Sequence, residues 1–180
     1  MAKKRPSRNR PAHAKRDHRP ASVNSVSVKQ VSEGTWRLVH PRCARERAED
    51  IEEVDAMIAE DEMDIAIDEL RWLLSGCSDF IAAHRRLGEL LLAMDNDVPL
   101  ARGHFGRAYQ LGLAAVRRAG ASIALPYADP ENQAFFEAGK GLAYCLRELK
   151  RPRLAREVLE QLVALDPSEP LGLRAMLAEL

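Results

Sequence analysis

The chain has 180 residues, of which 46% are hydrophobic and only 5% aromatic, and its 27 Lys and Arg balance its 27 Asp and Glu. This composition supplies enough apolar side chains for one folded domain, and the many Ala and Leu favour helix over strand. No run of 18 apolar residues occurs, and no apolar stretch follows the N-terminal charges. We therefore expect neither a membrane-spanning helix nor a secretory signal, and we predict a cytoplasmic protein.

The first 34 residues form a basic arm. They hold nine Lys and Arg against two Asp and Glu, whereas residues 35–180 hold 18 against 25. The arm has no aromatic residue, so it cannot bury enough apolar surface to offset the entropy of ordering, and we predict that residues 1–34 are disordered. The valines near its end leave open a short extended piece. Eight of its basic residues are Lys3, Lys4, Arg5, Arg8, Arg10, Lys15, Arg16 and Arg19.

A helical domain is predicted over residues 35–180. The apolar cluster at its start is expected to dock Trp36 and Leu38 onto the first helices as a lid, and Pro41 can begin a helix at its first position. Apolar residues at helical spacing then predict a first helix over 42–60.

The remaining helices follow from their start and stop signals. Asp79 and Asp97 are expected to cap helices, and Gly76 and Gly120 to end them. Two prolines rule out a continuous helix through the linker 121–132. The predicted helices after the first cover residues 63–75, 80–94, 98–118, 133–149, 152–165 and 168–180.

One spacing occurs three times in this domain: a small residue is followed by apolar residues four and seven positions later, on one helix face. The first two copies start 35 residues apart, and the third follows after one further period and about 19 residues. A period near this length, built from paired helices, predicts a stacked helical array. The copies are Ala66, Leu70 and Leu73; Ala101, Phe105 and Ala108; and Ala155, Leu159 and Leu162.

With Leu87, Gly88 and Leu91 before it, the second copy resembles the tetratricopeptide repeat, a unit of about 34 residues with the pattern W-x2-L-G-x2-Y, then A-x3-F, then Pro. The third copy keeps Pro167, the first lacks the Leu-Gly pair, and no copy has the Trp. The resemblance covers roughly residues 45–180.

The resemblance implies an all-α fold of antiparallel helical hairpins, stacked as a short right-handed solenoid with a C-terminal capping helix. Its units would cover about 45–78, 80–119 and 133–167, and the terminal helix 168–180. In this family the first helices of the units line a concave groove, although the same residues could be no more than an exposed helix face. Carried over by register, the groove residues would be Arg85, Glu89, Leu92, Glu137, Lys140, Tyr144 and Arg147.

No constellation typical of catalysis or metal binding is found in the sequence. The three cysteines are far apart and form no CxxC pair, so we expect reduced thiols, with neither a disulfide framework nor a zinc site. His40 and Cys43 lack a second pair of ligands, and we interpret His84 and His104 as partly buried packing residues. The acidic residues between 46 and 69 are typical of a solvated face. We therefore predict no enzyme activity, no cofactor and no metal.

The sequence thus predicts a protein–protein adaptor or scaffold that binds a peptide or protein partner in the groove. Alternating charges and one Tyr suit an extended peptide, with Arg or Lys available for a carboxylate. The alternative is a nucleic-acid-associated protein that uses its basic arm, with the helices as a spacer or dimerisation module. The arm could also fold back on the acidic surface, and Leu177 and Leu180 would permit self-association.

Overall fold

The computed structural model describes residues 25–120, 123–168 and 170–180, which form eight helices and one two-stranded sheet. The basic residues predicted in the arm, from Lys3 to Arg19, lie outside this part of the chain. The strands are β1 (Ser27–Ser32) and β2 (Thr35–Val39). The helices are α1 (Arg42–Arg45), α2 (Ala48–Ala59), α3 (Met63–Gly76), α4 (Ile81–Asp95), α5 (Val98–Ala119), α6 (Pro130–Glu148), α7 (Pro152–Leu165) and α8 (Leu173–Ala178).

The predominance of helix is confirmed, but an antiparallel hairpin of β1 and β2 precedes the helices. Gly34, with a φ of +72°, allows the tight turn between the strands. The prediction of disorder up to residue 34 is therefore wrong for the last part of the arm, where β1 is the short extended piece that the valines left open. Composition does not reveal this order because Val26, which is 1% exposed, is buried in the core together with residues distant in sequence.

The hairpin packs on α5 and α6, not on the first helices as predicted. Leu38 is only 1% exposed, and its backbone N–H donates to Asn132 Oδ1 over 2.9 Å. The N–H of Trp36 donates to the carbonyl of Ala124 over 2.8 Å, and Arg37 pairs with Asp129 at 2.7 Å. Where the hairpin packs on the helices, these partners accept from the N–H groups of Leu38 and Trp36 and pair with Arg37. Burial of the hairpin at this location therefore leaves none of these three groups unpaired.

Most predicted helices are confirmed, with shifts at their ends. Asp97 caps α5 by accepting from the N–H of Leu100 at 3.0 Å, and Gly120 follows α5 at a φ of +113°. Asp79 is not a cap as predicted, since it pairs with Arg107 at 2.7 Å while Phe80 precedes α4. Gly76 is the last residue of α3 and not a left-handed residue beyond it.

Three further predicted helices differ from the structure. The predicted terminal helix 168–180 is limited to α8 (Leu173–Ala178), and Gly172, with a φ of +73°, precedes its first residue. The predicted helix 42–60 is divided into α1 and α2 around Arg47, whose guanidinium stacks on Trp72 of α3. The predicted helix 133–149 begins earlier, at Pro130, because a proline needs no N–H partner in the first turn. Asp129 caps it by accepting from the N–H of Glu131.

The helices pack in sequence order. From α2 onward each helix contacts the next, and α4 also contacts α6. The residues of the threefold spacing are at most 2% exposed, so the spacing did identify core positions. Gly88 and Gly112 allow close approach, because a Cβ at either position would overlap the ring of Phe105 or Phe135, respectively. No described helix is both long enough and apolar enough to cross a membrane.

Cys43 of α1 and Cys77 after α3 form a disulfide across 34 residues. The expectation that all three cysteines are reduced is therefore wrong for this pair, since spacing along the chain does not reveal which cysteines the fold brings together. Cys145 is free and buried in α6, and burial raises the pKa of its thiol to about 11.

Candidate functional site

A cavity of about 540 Å³ is lined by every one of the seven residues predicted to face a groove. Arg85, Glu89 and Leu92 lie on α4, and the other four lie on α6. Their spacing of three and four residues places each set on one face of its helix. Leu171, just before α8, and Met176, within α8, form a third side. We call this cavity the α4–α6 groove.

Phe105 of α5 forms the floor of the α4–α6 groove between two glycines. A Cβ at Gly88 would lie 2.9 Å from the Phe105 ring, and one at Gly141 would lie 2.7 Å from it. The ring is 2% exposed and fills the space that side chains on α4 and α6 would otherwise occupy. The small residue at position 88 is therefore needed for steric reasons, and Gly141 has the same role on α6.

At one end of the α4–α6 groove the charges neutralise one another. Arg85 pairs with Glu89 at 2.8 Å and with Glu137 at 3.2 Å. The hydroxyl of Tyr127 donates to Glu137 Oε1 over 2.8 Å, and its pKa is raised by burial and by this carboxylate. Because Arg85 and Glu137 already have charged partners, a ligand gains little charge attraction at this end.

At the other end two cations remain available. Lys140 Nζ donates to the carbonyl of Leu171 over 2.9 Å and makes no ion pair with any described carboxylate. Arg147 pairs with Glu179 at 3.2 Å and with Glu148 at 3.4 Å, and it lies 5.4 Å from the centre of the Tyr144 ring. Since a carbonyl does not neutralise an ammonium group and both ion pairs of Arg147 are at least one-third exposed, this end can accept an anionic group.

Sequence reasoning missed four residues of the groove. Phe105, Gly141, Leu171 and Met176 line it together with the predicted seven. The threefold spacing predicts Phe105 on an apolar helix face, and its ring is buried there although it also lines the groove. Leu171 and Met176 come from the C-terminal segment, and no spacing in the sequence indicates that this segment reaches α6. The apolar side chains of Leu92, Leu171 and Met176 add a surface that can hold apolar groups of a ligand.

A second polar cluster lies between α4 and α5, where His84 and His104 contact each other. His84 Nε2–H donates to the carbonyl of Ser78 over 3.1 Å, so its Nδ1 is left to accept from His104 Nδ1–H over 3.2 Å. Burial lowers the pKa of His84 to about 4, and burial and then Arg71 lower the pKa of His104. The prediction that both are partly buried is confirmed, and their mutual hydrogen bond was not foreseen.

Among residues 25–120, 123–168 and 170–180, no group of three or more His, Cys, Asp or Glu could hold a metal ion. Cys43 is used in the disulfide, and His40 contacts the carbonyl of Glu131 at 2.9 Å.

Comparison with known proteins gives no match: no family model fits the chain, and no curated protein or solved structure is similar to it. The resemblance to the tetratricopeptide repeat therefore rests on the spacing of residues in this chain alone.

Proposed function

We propose that the chain is a non-enzymatic adaptor that binds an extended peptide segment of a partner protein in the α4–α6 groove. In this proposal α2–α3, α4–α5 and α6–α7 are three helical pairs of a tetratricopeptide-like array, and α8 is its capping helix. The sequential packing of the helices and the contact between α4 and α6 support this arrangement. An array of this kind stacks its units through nearest-neighbour contacts.

The observation that carries the proposal is the convergence of seven residues, chosen by register, on one cavity. An extended peptide would place a carboxylate at Lys140 and Arg147 and apolar side chains against Leu92 and Met176. Charge-assisted hydrogen bonds to the carboxylate would fix the direction of the peptide. The exposed Glu148 and Glu179 are weak competitors for Arg147, because exposed ion pairs contribute little free energy.

The test is selection of binders from a phage-displayed library of random peptides, followed by fluorescence anisotropy with each enriched peptide. We expect enriched peptides to contain an acidic residue near an apolar one. The variant Lys140→Ala/Tyr144→Ala/Arg147→Ala should bind them at least about tenfold more weakly, because two charge-assisted contacts are lost.

The matched control is Arg153→Ala/Arg156→Ala, which removes the same number of cations from exposed positions of α7. It should bind like the wild type. The proposal fails if no peptide is enriched, or if the groove variant and the control bind an enriched peptide equally well. Binding that disappears on removal of residues 1–24 or on addition of nuclease would instead favour the alternative, in which the basic arm holds nucleic acid.

A further inference from the structure

Opposite charges are concentrated on different helices of this chain. Helices α2 and α3 together carry eight Asp and Glu and one Arg. Helices α5 and α7 together carry six Arg and two Glu. The acidic and the basic side chains are therefore concentrated on different helix pairs, neither of which includes α4 or α6.

A second groove lies between α5 and α7. Both helices pack on α6 and leave between them a cavity of about 670 Å³. Leu142 and Leu146 of α6 and the 43%-exposed Leu154 of α7 contribute apolar surface. Arg102, Arg107 and Arg117 of α5 and Glu157 of α7 line it as well. Arg107 pairs with Asp79 at 2.7 Å, whereas Arg102 and Arg117 make no ion pair with another described residue. We call it the basic groove.

In the first half of α5, glycines leave the helix backbone uncovered by side chains on the side of the basic groove. A Cβ added at Gly103 would meet nothing within 4 Å, and one at Gly106 would meet only Leu142, at 3.7 Å. The backbone of α5 is therefore accessible to another element, as at interfaces where small residues let two helices approach closely. Arg102 precedes this bare stretch, and Arg117 lies 15 residues further along the helix, about 22 Å away.

An exposed ridge on α3 has the complementary chemistry. Ile65 and Trp72 are 54% and 56% exposed, and their spacing of seven residues puts them on one face of the helix. Asp68 and Glu69 lie on either side of this apolar pair. Glu69 makes no ion pair with a described residue, and Asp68 makes only an exposed pair with Arg71. We call Ile65, Asp68, Glu69 and Trp72 the acidic ridge.

We propose that the acidic ridge of one copy of the chain docks in the basic groove of a second copy. Ile65 and Trp72 are seven residues apart, about 10 Å along α3, so the acidic ridge fits within the stretch of α5 between Arg102 and Arg117. Ile65 and Trp72 would cover Leu154 and the exposed backbone of α5, while the adjacent carboxylates of Asp68 and Glu69 would lie between the two unpaired arginines and attract both. Contact of this kind removes two large apolar side chains from water and pairs opposite charges.

Because the ridge and the groove are different surfaces, each copy can use both at once. The contact is head to tail, and association would continue past two chains as concentration rises. Leu177 and Leu180, which the sequence suggested for self-association, are partly buried against the core. Ile65 and Trp72 are the large apolar residues that α3 leaves in water.

The test measures the weight-average mass of the full chain by sedimentation across a wide range of concentration at low salt. We expect the mass of the wild type to rise with concentration and to fall when salt is added, because salt screens the charges. Each of two variants disrupts one of the two surfaces. Ile65→Gln/Trp72→Gln removes the apolar side chains of the acidic ridge, and Arg102→Glu/Arg117→Glu reverses the charge of the basic groove. Each should associate at least about tenfold more weakly than the wild type.

Mixing the two variants gives the decisive result. The ridge variant keeps an intact groove and the groove variant keeps an intact ridge, so the mixture has one functional contact and should stop at a pair of chains. A variant that merely misfolds could not restore association. The control Arg153→Glu/Arg156→Glu changes charge on α7 outside the groove lining and should associate like the wild type.

The proposal is overturned if the wild type remains a single chain at every concentration. It is equally overturned if either surface variant associates as the wild type does, or if both variants are folded by circular dichroism and their mixture still contains only single chains. A loss of association in the control variant would show a general charge effect in place of the specific contact.

Discussion

At the scale of single residues, the glycines of α5 have opposite roles. A Cβ at Gly112 would overlap the buried ring of Phe135, whereas a Cβ at Gly103 would meet nothing within 4 Å. Both positions lie inside the same helix, so both lose the same backbone entropy on folding. The difference between them isolates the steric cost of a single methyl group.

We predict that Gly112→Ala lowers the free energy of unfolding by about 1–3 kcal/mol, because Phe135 must move within a packed core. Gly103→Ala should raise it by about 0.5–1 kcal/mol through the better helix propensity of Ala. Urea denaturation followed by circular dichroism measures both. Equal effects of the two substitutions would contradict the close contact between α5 and Phe135.

The His84–His104 pair predicts a pH dependence of stability. The folded pKa of His84 is about 4 against an ordinary value of 6.5, so the unfolded chain takes up protons in this interval that the folded chain does not. The contribution of neutral His84 to the free energy of unfolding is therefore complete above about pH 6.5 and is lost as the pH falls towards 4. We expect a loss on the order of 1 kcal/mol, since partial solvation reduces the effect.

The measurement is the urea midpoint of wild type and of His84→Gln/His104→Gln at several pH values. Carboxylates titrate in both proteins, so the difference between the two curves reports the histidines. The difference should change between pH 6.5 and 4. Parallel curves throughout this interval would refute the assignment of neutral, mutually hydrogen-bonded rings.

At the scale of elements, the disulfide joins α1 to the end of α3. Closing a loop across 34 residues removes entropy from the unfolded chain, and the chain-entropy relation gives about 3–4 kcal/mol. We predict that Cys43→Ala/Cys77→Ala loses stability of this order and that adding a reductant no longer changes its melting temperature.

Counting thiols in the denatured protein checks the pairing directly. Without reductant one thiol should react, that of Cys145, and with reductant all three should react. In the control Cys145→Ala, the reductant should still lower the melting temperature. Three reactive thiols without reductant, in protein prepared under oxidising conditions, would disprove the disulfide.

Helix boundaries could be predicted wherever a local residue determines them. Asp97 and Gly120 act within one turn of their own helix, and the register of α4 and α6 then gave seven groove residues. At the division between α1 and α2, Arg47 stacks on Trp72, and the hairpin docks on Asn132; both partners are distant in sequence. Phe105 at the floor of the α4–α6 groove and Met176 at its side were not predicted as groove residues, because both come from helices other than α4 and α6.

At the scale of the whole molecule, each helix from α2 to α8 mainly contacts the helices next to it in sequence. The hairpin of β1 and β2, by contrast, packs on helices that are distant from it in sequence. The side chain of Asn132 is fully buried, accepting from the N–H of Leu38 and donating to the carbonyls of Trp36 and Pro126. Arg118 donates to the carbonyl of Val26. Apart from the bond to Pro126, these bonds connect residues more than 90 positions apart.

The large sequence separation between the hairpin and its hydrogen-bond partners determines the order in which parts of the chain can fold during synthesis. Helices α2 to α5 can pair with their neighbours soon after each is made, because their contacts are local. The hairpin is made before any of them, yet Leu38 has no acceptor for its N–H until Asn132 has been added. Its strands must wait through the synthesis of more than half of the chain, so the first described residues to leave the ribosome are among the last to reach their final position.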